Sequence, residues 1–148
     1  MQFFPPSGRL KSIAQIGWDS SCWATAWSVA WALRYDFAPP DVATTKLVLL
    51  VAFSAAIQTA LGLLFGIYRG RMRTGSIDEV LVLSLIAGVV GITMALAVLA
   101  TQPSGIPRSV PLIAMFLALV FMLSVRILVR VVRLRTGDPL LRNRVLVY

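Results

Sequence analysis

Histidine is absent from this sequence, cysteine occurs once, at Cys22, and acidic residues number only 6. Without histidine there is no imidazole acid–base chemistry, no His-ligated metal and none of the usual catalytic triads. A lone thiol forms neither an intrachain disulfide nor a Cys-based metal cluster. Charge of either sign is scarce, at 14% of 148 residues. The remainder is apolar: 58% of the residues are hydrophobic and the mean hydropathy is +0.83, which excludes a water-soluble monomer. The few charges are biased, 14 Lys+Arg against 6 Asp+Glu for a formal net charge of +8. In a membrane protein that bias encodes topology.

A helix needs about 20 apolar residues to cross the hydrocarbon core. Ser12 to Leu33 contains one charge, Asp19; Leu47 to Tyr68 contains none in 22 residues, and Val80 to Ala100 none in 21. Ser109 to Val125 is 17 residues long and extends past Arg126 if that arginine snorkels its head to the interface. The sequence therefore predicts an all-α integral membrane protein, a bundle of four antiparallel transmembrane helices over approximately 13–33, 47–68, 80–100 and 109–129. The first run is too long for a signal peptide, and it carries Asp19 and four tryptophans. Pro39 and Pro40, and then Pro103, Gly105 and Pro107, mark turns between spans. Ser76-Ile77-Asp78-Glu79 has the spacing of a capping box at the start of the third helix.

Orientation follows from counting basic residues in the short loops. With four spans both ends share a side. That side collects Arg9 and Lys11, then Arg69, Arg71 and Arg73, then Arg126, Arg130, Arg133, Arg135, Arg142 and Arg144, against Arg34, Lys46 and Arg108 opposite. Eleven against three predicts both termini in the cytoplasm.

Asp19 is the candidate buried polar residue, because an acidic group in a span is costly and often marks an ion or proton path. It lies fifteen residues before Arg34, about 22 Å along a helix. In a core about 30 Å thick that leaves it about 8 Å inside the inner boundary, where it is expected to bond to Ser20 or to a neighbouring helix. Trp23, Trp27 and Trp31 recur every four residues on one face and are expected to pack against lipid or another helix; Trp18 and Trp31 also suit interfacial belts. Gly62 and Gly66 form a small-xxx-small pair, and Gly88 and Gly91 keep a face of the third helix free of bulk. These are expected packing seams. Arg126, Arg130 and Arg133 share a face at spacings of four and three, a candidate collar for anionic lipid head groups, with simple stop-transfer charges as the plainer reading. Divided among membrane-flanking segments, the basic residues do not form a nucleic-acid patch.

After Thr136-Gly137-Asp138-Pro139 the chain runs through Arg142-Asn143-Arg144 into Val145-Leu146-Val147-Tyr148. The tail reads as a linker and the first strand of a buried parallel sheet over 137–148, following a transmembrane domain over 1–136. A strand needs partners, so the expectation is a chain that belongs to a longer protein with a cytoplasmic domain.

Several pieces then resemble, in order, the membrane-bound polysaccharide biosynthesis proteins, nucleotide-sugar 4,6-dehydratases with four N-terminal spans ahead of a Rossmann domain. They are Asp19 in the first span, Leu33-Arg34-Tyr35-Asp36 at its end, Gly66-Ile67-Tyr68-Arg69-Gly70-Arg71-Met72-Arg73 with Ser76-Ile77-Asp78-Glu79, Pro107-Arg108-Ser109-Val110, and Arg126 to Arg130. The resemblance covers nearly all of the chain after its first ten residues. It implies a membrane anchor in a bacterial inner membrane, with NAD(P) and the catalytic residues belonging to the domain beyond Tyr148. No catalytic, cofactor or metal residue is carried over to this chain. The lipid bilayer and anionic lipids are the expected partners, Arg69, Arg71 and Arg73 are candidate contacts for a polyprenyl phosphate, and a homo-oligomer stays open. Two other families compete: the polyprenyl-phosphate sugar-phosphate transferases, and small proton-coupled exporters, which would use Asp19.

Overall fold

The computed structural model describes residues 6–37, 44–68 and 76–135. Among them there are four helices and no strand: α1 (Pro6–Arg34), α2 (Thr44–Leu64), α3 (Ile77–Thr101) and α4 (Val110–Arg135). Three segments are long and apolar enough to cross a membrane, Thr44–Leu64, Ile77–Thr101 and Val110–Val132. At 29 residues α1 is the longest helix, but Lys11, Gln15, Asp19 and its serines make it more polar than the others. The strand expected at 137–148 lies outside the described residues.

Local chemistry sets the helix ends. α1 begins on Pro6, whose fixed φ and missing N–H suit a first turn. It closes with the Phe37 amide donating to the Ala32 carbonyl at 2.8 Å while Asp36 takes a left-handed φ of 50°. α3 is capped by Ser76, whose hydroxyl accepts from the Glu79 amide at 3.2 Å, the hydroxyl half of the reciprocal capping box that the spacing predicts. α2 ends sooner than the uncharged run suggests. The Ile67 amide donates to Gly62 O at 3.0 Å and the Gly66 amide to Leu63 O at 3.3 Å, with Gly66 at φ 78°. That is a Schellman closure, and glycine is the residue that adopts it without a Cβ penalty. Tyr68 therefore belongs to the turn after α2 and not to the span itself.

The helices form a ring in which α1 contacts α2 and α4, and α3 contacts α2 and α4, with α1 and α4 sharing the most extensive interface. α1 buries Asp19, Cys22, Trp23, Ala26, Trp27, Ala30 and Trp31, an alternation of three- and one-residue steps that keeps to one helical face. α4 buries Val110, Ala114, Ala118, Met122 and Arg126, each four residues apart. The tryptophan stripe thus faces the core. Trp27 Nε1 donates to Ser54 Oγ on α2 at 2.9 Å, and Trp31 Nε1 to Gly105 O ahead of α4 at 3.0 Å. Trp18 lies off that face and is 43% exposed. The exposed faces of α2, α3 and α4 carry Val48, Leu49, Phe53, Leu81, Leu85, Ile92, Leu96, Leu112, Phe116 and Val120, the surface a lipid tail covers at no cost.

Candidate functional site

At one end of the bundle four separate segments contribute to one polar network centred on Arg126. The residue is 5% exposed, and its partners Asp19 and Glu79 are 1% and 2% exposed. Nη1 and Nη2 donate to Oδ1 and Oδ2 of Asp19 at 3.1 and 3.0 Å, a bidentate pair, while Nε donates to Glu79 Oε1 at 3.0 Å. Nη1 also reaches the Met122 carbonyl at 3.5 Å. The Tyr68 hydroxyl donates to Asp19 Oδ2 at 2.6 Å, and the Tyr68 carbonyl accepts from the Ser12 hydroxyl. One guanidinium is shared by two carboxylates, and planar fork geometry is what lets a single arginine serve both.

Each member is delivered by a local feature. The inward face of α1 carries Asp19 four residues before Trp23. The Schellman turn at Gly66 folds Tyr68 back over the end of α2, where its ring lies on Gly62; a Cβ at Gly62 would stand 2.2 Å from Tyr68 Cε2. The Ser76 cap starts α3 so that Glu79 lies in its first turn, facing in. Arg126 follows Met122 on the buried stripe of α4. Burying these charges singly would be prohibitive in an apolar interior, whereas together each is paired and hydrogen-bonded. Chemically the arrangement is a clamp: both Asp19 oxygens are engaged, and no group of three or more His, Cys, Asp or Glu able to hold a metal occurs among the described residues.

Compared with protein-family models, curated proteins and solved structures, the chain matches none of them.

Asp19 bonds to a neighbouring helix, one of the partners its position suggested. Arg126 differs from its expected place: it does not extend to the interface, so it is not part of a lipid-facing collar, because two carboxylates in the bundle offer it more than head groups do. Arg130, one turn on, is exposed and has a partner of its own. The side chain of Arg133, and Arg69, Arg71 and Arg73, lie outside the described residues.

Gly91 is a close-contact seam, since a Cβ there would stand 2.3 Å from Met115 Cγ on α4. Gly88 is not one, having nothing within 4 Å of such a Cβ. Gly62 seats the Tyr68 ring instead of a second helix, and Gly66 serves the turn. The pair therefore does not form one continuous helical seam.

Glu79 and Tyr68 are the site residues that spacing and hydropathy assigned elsewhere, to a cap and to a span end. No local pattern marked either of them; the signal in the sequence was Asp19, since a carboxylate within a span calls for a buried cation, and it leads to Arg126 among the apolar residues of the fourth run.

Proposed function

We propose that this chain is the membrane domain of a bacterial surface-glycan biosynthesis enzyme of the nucleotide-sugar 4,6-dehydratase type. In this reading four antiparallel spans, with both ends in the cytoplasm, hold an NAD(P)-dependent catalytic unit at the inner face of the inner membrane. One observation carries it. The segments on which the resemblance rests, around Asp19, Tyr68, Glu79 and Arg126, are far apart in sequence yet supply the members of a single buried network.

Further support comes from the level of the contacts. Trp31 bonds to Gly105 before α4 begins while Asp19 bonds to Arg126 well along it, and Trp27 bonds to Ser54 while Asp19 bonds to Tyr68 beyond the end of α2. Those pairings are the ones that neighbours running in opposite directions make. The basic-residue asymmetry supplies the orientation. An exporter that cycles protons on Asp19 needs that carboxylate exchangeable, and here it is bound by a bidentate guanidinium and a phenol, which favours an anchor over a carrier.

The test is made on the native gene product in isolated membranes. UDP-sugar 4,6-dehydration with NAD(P) should sediment with the membrane fraction, and removal of residues 1–136 should release the activity into the soluble fraction. Membranes that hold the full-length product yet lack this activity would overturn the reading.

A further inference from the structure

The seam between α1 and α2 is built as a ladder. Followed from Trp27 back to Asp19, the residues of α1 meet partners that advance from Ser54 to Tyr68. Between those two rungs stand Trp23, four residues from Trp27, and Gln58, four residues from Ser54, both inward-facing. Each lies one helical turn from a member of the direct indole–hydroxyl bond of 2.9 Å, so a four-residue step along either helix carries the ladder to them.

This middle rung differs from the other two. Trp23 Nε1 and Gln58 Oε1 are fully buried and have no hydrogen-bond partner among the described residues, at 0% and 1% exposure of their side chains' residues. One is a donor that cannot accept, and the other is an acceptor. The amide of the same Gln58 is occupied at its other end: Nε2 lies 3.9 Å from Met122 Sδ, and the carboxamide is beside the Tyr68 hydroxyl. Turning the amide over would set an oxygen against the thioether. An apolar bundle interior offers no solvent to either group, so the mismatch is costly unless something small bridges it.

We infer that the α1–α2 seam binds a single internal water, which accepts from Trp23 Nε1 and donates to Gln58 Oε1. Buried waters bond to polar groups that are otherwise unsatisfied, and here a donor and an acceptor are both left over. Through the Gln58 carboxamide the water adjoins Tyr68, and through Tyr68 the Asp19–Arg126–Glu79 network, so that the polar contacts form one ladder along the seam. The inference stands independently of the proposed function.

Nuclear magnetic resonance of the full chain in detergent micelles, with indole nitrogens labelled, tests it. Trp23→Phe identifies the Trp23 signal by its loss. In the unsubstituted protein the Trp23 indole proton should show a cross-peak to a long-lived water, and Gln58→Leu should abolish it; Gln58→Met, closer in shape, serves if the leucine variant does not fold. Absence of the cross-peak in the unsubstituted protein, or its persistence in the Gln58 variant, overturns the inference. Melting temperatures provide a second readout. Trp23→Phe and Gln58→Met should each lower the melting point, and the double variant should lose less than the two losses combined; simple additivity counts against a shared water.

Discussion

Arg126 is held by bonds to two carboxylates that come from different helices, so its loss is not equivalent to the loss of either acid. Replacing it with leucine leaves Asp19 and Glu79 buried without a counter-charge, and breaking a buried pair from one side typically costs about 3–5 kcal/mol. Glu79→Gln keeps the bidentate pair between Arg126 and Asp19 and should cost less than either Arg126→Leu or Asp19→Asn. Combining Arg126→Leu with Asp19→Leu should lose markedly less stability than the two single changes together, because each then removes the other's penalty. Denaturation of the four single variants, Arg126→Leu, Glu79→Gln, Asp19→Asn and Asp19→Leu, and of the double variant in detergent ranks these effects; equal losses for Glu79→Gln and Asp19→Asn would contradict the geometry. Tyr68→Phe removes the donor to a charged acceptor and should cost about 1.5–3 kcal/mol, read from the same melts.

At the scale of the helices, packing depends on where a side chain would go. Gly91 has Met115 of α4 against it from Cγ, Sδ and Cβ at 2.3 to 2.6 Å of an added Cβ, so the neighbour cannot yield simply by moving its far end. Gly91→Ala should lower stability by about 1–3 kcal/mol through overpacking. Gly88→Ala, three residues earlier on the same helix, meets nothing within 4 Å and should be neutral or gain up to about 1 kcal/mol from helix propensity. Thermal melts of the two alanine variants side by side check this, and a larger loss at Gly88 would reverse the assignment of the seam. Both positions look alike in the sequence, as glycines on a helix with a small face. Only the rotation of α3 relative to α4 separates them.

For the whole molecule the expected arrangement is a ring of four helices with its charged clamp toward the cytoplasmic side. A reporter active only in the cytoplasm should be active when fused after Tyr148 and silent when inserted near Gln102. Activity at Gln102 and silence after Tyr148 would invert the topology and put the Arg126 network at the outer face. The polarity of α1 acquires its meaning at this scale as well. Its inward face carries Asp19 and three tryptophans whose indoles fill the core, while Ser21, Thr25 and Ser28 on its exposed side each return their hydroxyl to the carbonyl four residues back, at 2.8 to 2.9 Å. Those bonds remove the cost of placing hydroxyls in an apolar environment, and so let a helix of modest hydropathy sit among three strongly apolar ones.

The number of helices, the membrane character of three of them, and the Ser76 cap were legible in the sequence because each depends on residues adjacent along the chain. Hydropathy is a sum over a window, and a cap is a contact three residues long. The inward direction of the tryptophan stripe, the early end of α2 at Gly66, and the burial of Arg126 were decided by the tertiary structure. An arginine near the end of an apolar run reaches the interface or turns inward according to whether counter-charges await it, and here they lie 47 and 107 residues away along the chain. Local spacing contains no information about that distance, which is closed only when helix rotation brings Asp19, Tyr68 and Glu79 to the same level of the bundle.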